Sequence, residues 1–228
     1  MEKIPSQDNY MSYHFLIKHI SRGFGWPSHQ QVFRWMSPFS DNNISKLLNK
    51  EFTLEYSAKS LWDTILPKEK NTKNSPIDEL SQIFEKLYLP NDILTKVDRA
   101  SMYNGLEVRS PFLSKNIINF SHSLPNKFKL NNGETKFLLR HLSKTKLPKI
   151  ITTRKKHGFA IPLAKMIRGP LKEKIEDTLL SSNNMVSEFF DRKNIEKILK
   201  DHEKGIDNRK PIWAIYMLYK TSENLSKC

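Results

Sequence analysis

Apolar residues recur every three or four positions through most of this chain, and prolines cut that pattern into short lengths. Tyr13, Leu16, Ile17 and Ile20 form one stripe, broken by Arg22-Gly23 and Trp26-Pro27. Gln31 to Met36 forms a second, ended by Pro38, and Asp41 reads as the N-cap of a third helix through Leu48. Leu54, Leu61, Trp62, Ile65 and Leu66 mark a further segment. Later stripes run over Ile77–Leu87, Ser114–Leu124, Leu171–Leu180, Arg192–His202 and Pro211–Leu225. Twelve prolines but only seven glycines in 228 residues suit helices with proline breaks, not a sheet full of tight turns. The pattern predicts a mainly α fold in which Lys127–Leu130 is the one β-like run. Residues 67–76, PKEKNTKNSP, are polar and flanked by prolines, and read as a linker or a solvated loop.

The formal charge of +14 comes mostly from 29 lysines, against nine arginines. Phosphate neutralisation on a nucleic acid is one source of such a balance. The lysines are dispersed, however, and no aromatic stripe accompanies them, which favours solvated helix faces over a nucleic-acid-binding module. Polyphosphate binding is a third source of local positive charge. The single cysteine is Cys228, so the chain holds neither a disulfide framework nor a cysteine-rich metal site. No signal-peptide pattern and no apolar run of membrane-spanning length occurs, and the expected setting is cytoplasmic, with no membrane partner.

Leu89 to Leu113, LPNDILTKVDRASMYNGLEVRSPFL, carries more charge than a core helix needs. Pro90-Asn91-Asp92 is expected to open its helix, with Ile93, Val97 and Ala100 on one face. Asp98 and Arg99 are adjacent, point in different directions and need partners elsewhere. Glu107 and Arg109 lead into Ser110-Pro111, where proline pushes its predecessor out of the helical region. Two readings stand for these four residues: buried ion pairs joining helices, or walls of a polar site.

In NNGETKFLLR, residues 131–140, a turn at Leu130–Gly133 is expected to lead straight into a helix over Glu134–Leu142. Free N–H groups at such a helix start favour an anion. Lys136 would fall in the first turn, against the helix dipole, which an anionic ligand or a tolerant surface position would each explain. RKKHGF, residues 154–159, with Pro162 behind it, offers cations, an imidazole and a glycine to a phosphate, or forms a solvated basic loop. No metal-ligand or nucleophile–base spacing occurs, and no metal ligand is assigned.

These three segments, in this order, resemble the C-terminal half of the synthetase domain of glutamine-hydrolysing asparagine synthetases. The pattern LP-x-D-x-L-x-K-x-DR-x-SM-x3-LE-x-R-x-PFLD is matched by Leu89, Pro90, Asp92, Leu94, Lys96, Asp98, Arg99, Ser101, Met102, Leu106, Glu107, Arg109, Pro111, Phe112 and Leu113. G-x-x-K-x-x-LR falls on Gly133, Lys136, Leu139 and Arg140, and R-x-K-x-GF-x-x-P on Arg154, Lys156, Gly158, Phe159 and Pro162. RGPL stands at Arg168–Leu171, and His202, Gly205 and Trp213 are similar to terminal elements of the family.

The resemblance implies the helical C-terminal part of an adenine-nucleotide α-hydrolase-like (PP-loop ATP pyrophosphatase) α/β synthetase domain. It implies activation of aspartate by ATP and Mg²⁺ as β-aspartyl-adenylate, then attack by ammonia drawn from glutamine. Lys136 takes the position of a catalytic lysine, and Arg154 and Lys156 those of ATP or pyrophosphate ligands. Asp98, Arg99, Glu107 and Arg109 would shape the site. Related enzymes that close lactams or amidate peptides and surface polysaccharides are the alternative within the resemblance.

Four departures accompany it. No S-G-G-x-D-S loop and no acidic G-G-D-E element occurs, residue 2 is Glu2 where a glutaminase cysteine is expected, and Ser114 replaces the aspartate of PFLD. The expectation is therefore a partial synthetase domain over residues 1–228, without glutaminase domain or PP-loop and most or all of the parallel sheet. Truncated, split and decayed genes all give such a chain. It would be inactive alone, would rely on a partner chain for the ATP-binding half, and would expose apolar surface where the sheet belongs.

Overall fold

The computed structural model describes residues 17, 21, 23–26, 28–39, 41–53, 75–154 and 161–226. The expected stripe at Tyr13, Leu16 and Ile20, the segment from Leu54 to Leu66, most of the 67–76 loop and Lys156 lie outside them. The chain divides into two compact units, Met1–Lys70 with Phe159–Cys228, and Asn71–Gly158. Helices dominate both.

In the first unit, α1 (Ser28–Met36), α2 (Asp41–Leu47) and α3 (Lys50–Thr53) precede the later helices α10 (Leu163–Arg168), α11 (Lys172–Leu180), α12 (Arg192–Glu203) and α13 (Arg209–Leu225). One core joins α2 with the four later helices. Ile175 and Leu179 of α11, Ile195 and Leu199 of α12, and Ile212, Ile215, Tyr216 and Tyr219 of α13 pack together with Ile167 and Leu47. The spacings of four and of three-four-seven place each set on one helix face, which is why the sequence stripes predicted these helices. Each such side chain, removed from water, contributes about 1.5–3 kcal/mol.

Asn184 and Ser222, buried polar residues of this unit, are hydrogen-bonded. Asn184 donates from Nδ2 to the Tyr219 carbonyl (3.1 Å), and its Oδ1 accepts the Val186 N–H (3.0 Å) and the Ser222 hydroxyl (3.2 Å). Asp191 caps α12 by accepting the Asn194 N–H at 3.1 Å. The N–H groups of Asn49 and Asp191 reach the carbonyls of Phe189 and Leu47, closing a short antiparallel bridge at Leu48 and Phe190. Gly23 lies so near Trp35 that an added Cβ would sit 2.6 Å from the indole Nε1.

The second unit runs α4 (Pro76–Ile83), a π-helical stretch (Phe84–Leu94), α5 (Thr95–Tyr103), a 3₁₀ turn (Pro111–Leu113), α6 (Lys115–Ser123) and α7 (Asn126–Lys129). A two-residue-per-strand hairpin follows, β1 (Leu130–Asn131) against β2 (Glu134–Thr135), then α8 (Phe137–Lys146) and α9 (Lys149–Thr153). Ser75 caps α4 through its hydroxyl to the Asp78 N–H (3.3 Å), with Pro76 at the first helical position.

Two expectations are corrected here. Pro90 does not open a helix; it lies inside a continuous one. The i→i+5 spacing of the π turn keeps the carbonyl four residues back away from the proline ring, the clash that excludes proline from an α-helix. Thr95 Oγ1 donates to the Pro90 carbonyl at 2.7 Å and Asn91 Nδ2 to the Leu87 carbonyl at 2.8 Å, occupying carbonyls of the widened turn. The second correction is at Gly133. It belongs to a hairpin turn with Asn132, both at positive φ (47° and 80°), and the helix begins only at Phe137. Two consecutive positive φ values are the signature of a type I′ turn, the geometry that an Asn-Gly pair favours between strands.

Apolar burial is sparse in this unit. Ile83 is the only buried hydrophobic residue among its described positions, while Tyr103, Ile150 and Phe112 are 91%, 75% and 64% exposed.

Candidate functional site

Lys136 joins the hairpin to α8 in the left-handed region, at φ 56° and ψ 38°. A lysine there costs about 1–2 kcal/mol of backbone energy relative to a right-handed turn. The strain has a local cause: pairing of Thr135 with Leu130 fixes the chain on one side, and α8 starts immediately on the other. Arg140 secures the junction, its Nε donating to the Thr135 carbonyl (3.0 Å) and its N–H to the Lys136 carbonyl (2.9 Å). Lys136 therefore stands at the N-cap, one step before the first turn in which the sequence pattern put it. No side chain caps α8, so the N–H groups of its first turn have no side-chain partner. Lys136 is exposed and makes no ion pair among the described residues.

Arg154 directly follows α9 in extended conformation and is exposed, again without a salt bridge among the described residues. α8 and α9 pack against each other, so the helix that Lys136 begins touches the one that Arg154 ends. Asp98 and Arg99 are exposed on α5, and no ion pair among the described residues reaches either. Glu107 and Arg109 pair with one another, Nε to Oε1 at 2.8 Å, with both side chains largely in solvent. This overturns the reading of these four residues as buried ion pairs between helices. Gly105, at φ 67°, ends α5, and residues 106–110 follow it exposed and without regular secondary structure.

Sequence reasoning missed two polar constellations. In the second unit, Asp78 collects Ser75 Oγ (2.9 Å), Asn126 Nδ2 (3.1 Å) and Lys129 Nζ (3.1 Å), tying α4 to α7. The Asn126 and Lys129 hydrogen bonds, with a smaller one from Ser75, hold its carboxyl below the usual range against a modest opposing effect of burial. Its signal was the Ser-Pro-x-Asp N-terminus at residues 75–78. In the first unit, His202 is buried, with Nδ1 accepting the Asn208 N–H (3.2 Å) and Nε2 facing the Ala164 carbonyl (3.3 Å). Burial first, and then the Arg168 charge, push this imidazole below its ordinary value. Asp207 beside it is half-buried, which raises its carboxyl, but the hydrogen bonds and charge of Arg209 outweigh burial and hold it low. These groups organise the turn from Lys204 to Asn208; their geometry serves stability.

A pocket in the first unit, about 410 Å³ and bounded by Phe39, Leu47, Phe52, Phe190 and Ile215 among others, is lined by apolar side chains. It offers nothing to a phosphate. Among the described residues no three acidic, histidine or cysteine side chains gather as metal ligands, and no helix is long and apolar enough to cross a membrane.

Lys136 and Arg154 are thus both exposed in the second unit, at the start of α8 and after the end of α9. The chain matches the asparagine synthase family over residues 11–223 and belongs to that family. It is 27% identical over 176 residues to "Asparagine synthetase [glutamine-hydrolyzing] 1" of Bacillus subtilis (strain 168), covering 77% of this chain and 27% of that protein. It is 30% identical over 148 residues to "Putative asparagine synthetase [glutamine-hydrolyzing]" of Mycobacterium bovis and of Mycobacterium tuberculosis, covering 63% of this chain and 22% of theirs. The chain thus spans about a quarter of the length of these curated relatives. No solved structure matches it.

Proposed function

We propose that this chain supplies the helical part of an ATP-dependent asparagine synthetase, with a PP-loop α/β half provided by a separate polypeptide segment. The observation that carries the reading is the position of Lys136. Two locally unfavourable features meet at one residue, a left-handed lysine and a cation at the positive end of a helix. A bound anion would offset the second of these, and the family pattern gives this lysine a catalytic position.

In this reading the aspartate side-chain carboxylate forms a bond to the α-phosphorus of ATP, and pyrophosphate leaves. Ammonia released from glutamine then attacks the activated carbonyl, and AMP leaves with the remaining oxygen. Lys136 places its ammonium against the oxygens on which charge develops, a role that needs a fixed cation at low reorganisation cost. Arg154 and Lys156 hold the departing pyrophosphate. Asp98, Arg99, Glu107 and Arg109 set the walls of the site in this reading. Lys136 and Arg154 fit a polyphosphate because both are exposed and carry no competing carboxylate among the described residues. Magnesium normally accompanies the nucleotide, but the described residues hold no ligand cluster for it, and no step is routed through it. A reducing cytoplasmic setting is part of the proposal.

The direct test is aspartate-dependent exchange of labelled pyrophosphate into ATP by the 228 residues alone. None is expected, since the sequence carries no S-G-G-x-D-S loop. Robust exchange by the isolated chain would sink the two-part reading.

A further inference from the structure

We propose that His202 is an acid-sensitive latch for α10: a proton on its imidazole frees that helix while the rest of the first unit stays folded. The ring lies between two elements. On one side Nε2 faces the Ala164 carbonyl of α10 at 3.3 Å, and Arg168 Nε donates back to the His202 carbonyl at 3.0 Å. On the other side Nδ1 lies 3.2 Å from both the Ile206 carbonyl and the Asn208 nitrogen. His202 is only 1% exposed, and Ala164 and Ile167 of α10 are buried beside it in sequence order. A charge placed on the ring loses its water unless something moves.

The surrounding charges say which element moves. α10 presents Arg168, a like charge to an imidazolium. The turn presents Asp207, an opposite charge, which Arg209 of α13 holds at 2.7 Å. On α12 itself Glu203 is paired with Lys172 of α11. Protonation therefore repels α10 and attracts the turn. The turn is also tied down separately, by Asn208 Nδ2 on the Ile198 carbonyl (3.1 Å) and the Ile206 N–H on the Asp201 carbonyl (3.0 Å). α10 has only six residues, and a helix so short has little stability of its own. Ile167 is its one buried member of the core cluster.

Moving α10 aside returns water to the ring and removes Arg168 in one step. The closed ring resists a proton through burial and Arg168, while the opened ring takes one in the ordinary range near pH 6.5. The opened form thus binds a proton at higher pH, and opening grows as pH falls through that range. Pro162, which caps α10, ends the R-x-K-x-GF-x-x-P pattern that contains Lys156. Acid then loosens the anchor of that stretch, a consequence for phosphate binding that rests on the reading above; the opening itself does not.

Hydrogen exchange of the whole chain, resolved by peptide and corrected for the intrinsic rate at each pH, reads the latch. From pH 8 to pH 5.5 the opening of residues 163–168 is expected to rise up to about tenfold, the factor set by a group that titrates near 6.5. The same peptide should exchange faster than α13 at both pH values and be indifferent to low urea, since a local opening exposes little surface. His202→Gln keeps a donor and an acceptor but takes no proton, and should abolish the rise. Arg168→Gln removes the like charge and should shrink it. An α10 that exchanges at the rate and urea dependence of α13, a wild-type rate indifferent to pH, or an acid rise undiminished in either variant would each overturn the proposal.

Discussion

The buried imidazole of His202 accepts the backbone N–H of Asn208 on Nδ1 at 3.2 Å. Its Nε2 faces the Ala164 carbonyl at 3.3 Å and its Nδ1 also lies 3.2 Å from the Ile206 carbonyl, so the ring links α12, the turn after it and α10.

The pH dependence follows from that geometry. Burial and Arg168 depress the folded-state imidazole, while hydrogen bonds to the Ala164 and Ile206 carbonyls and the Asp207 charge oppose them less strongly. The unfolded chain then binds a proton at higher pH than the folded one. Stability from this group is fully present above the ordinary histidine range, near pH 6.5, and falls as pH drops through it toward the depressed folded value. Urea melts at pH 8 and pH 5.5 should show a larger acid loss for the wild type than for His202→Phe. His202→Phe should itself cost about 1–3 kcal/mol at pH 8, because it strands a buried N–H and a carbonyl.

Ser75 is expected to stabilise the second unit through the α4 cap and the Asp78 cluster. Ser75→Ala should lower stability by about 0.5–2 kcal/mol in chemical denaturation. The Asp78 carboxyl is held low, so its contribution is present above its unfolded value and is lost as pH falls through the folded one. Acid titration of Asp78→Asn against the wild type should show a smaller loss of stability below about pH 4 in the variant.

At the hairpin, Gly133 sits at φ 80° with open space around an added Cβ. Gly133→Ala should therefore destabilise through backbone strain alone, by about 1 kcal/mol. Lys136→Gly should act in the opposite sense, gaining up to about 1 kcal/mol by relieving the left-handed lysine. Thermal melts of the two variants check the pair of signs. A site residue whose removal stabilises the fold is the mark of strain kept for function.

The helices were legible where one side of a helix packs on many neighbours. Ile212, Ile215, Tyr216 and Tyr219 show their spacing in the sequence because a single core selects it. The second unit was less legible. Its apolar residues keep helical spacing, yet Val97, Met102 and Phe120 stay exposed, so periodicity reported conformation without reporting burial. Asn132-Gly133 was read as a helix approach, although an Asn-Gly pair also fits the two-residue turn of a hairpin; the strands are only two residues long, too short to show alternation. Pro90 misled for a different reason: propensity describes α turns, and the chain passes it in a π turn. At the site, the pattern identified Lys136 but could not show its backbone conformation, which depends on pairing between Leu130 and Thr135. His202 stood out only as part of a motif; its two-sided hydrogen bonding depends on α10, far away in sequence.

Aspartate-dependent pyrophosphate exchange in a reconstituted pair tests the central claim most directly. The chain would be mixed with a separately expressed polypeptide carrying an S-G-G-x-D-S loop and its strand. The account predicts exchange with the wild-type pair, none with either polypeptide alone, and a loss of at least about a hundredfold with Lys136→Ala, the scale of removing one charge-stabilising group. Wild-type exchange rates in the Lys136→Ala pair would contradict the role given to that lysine.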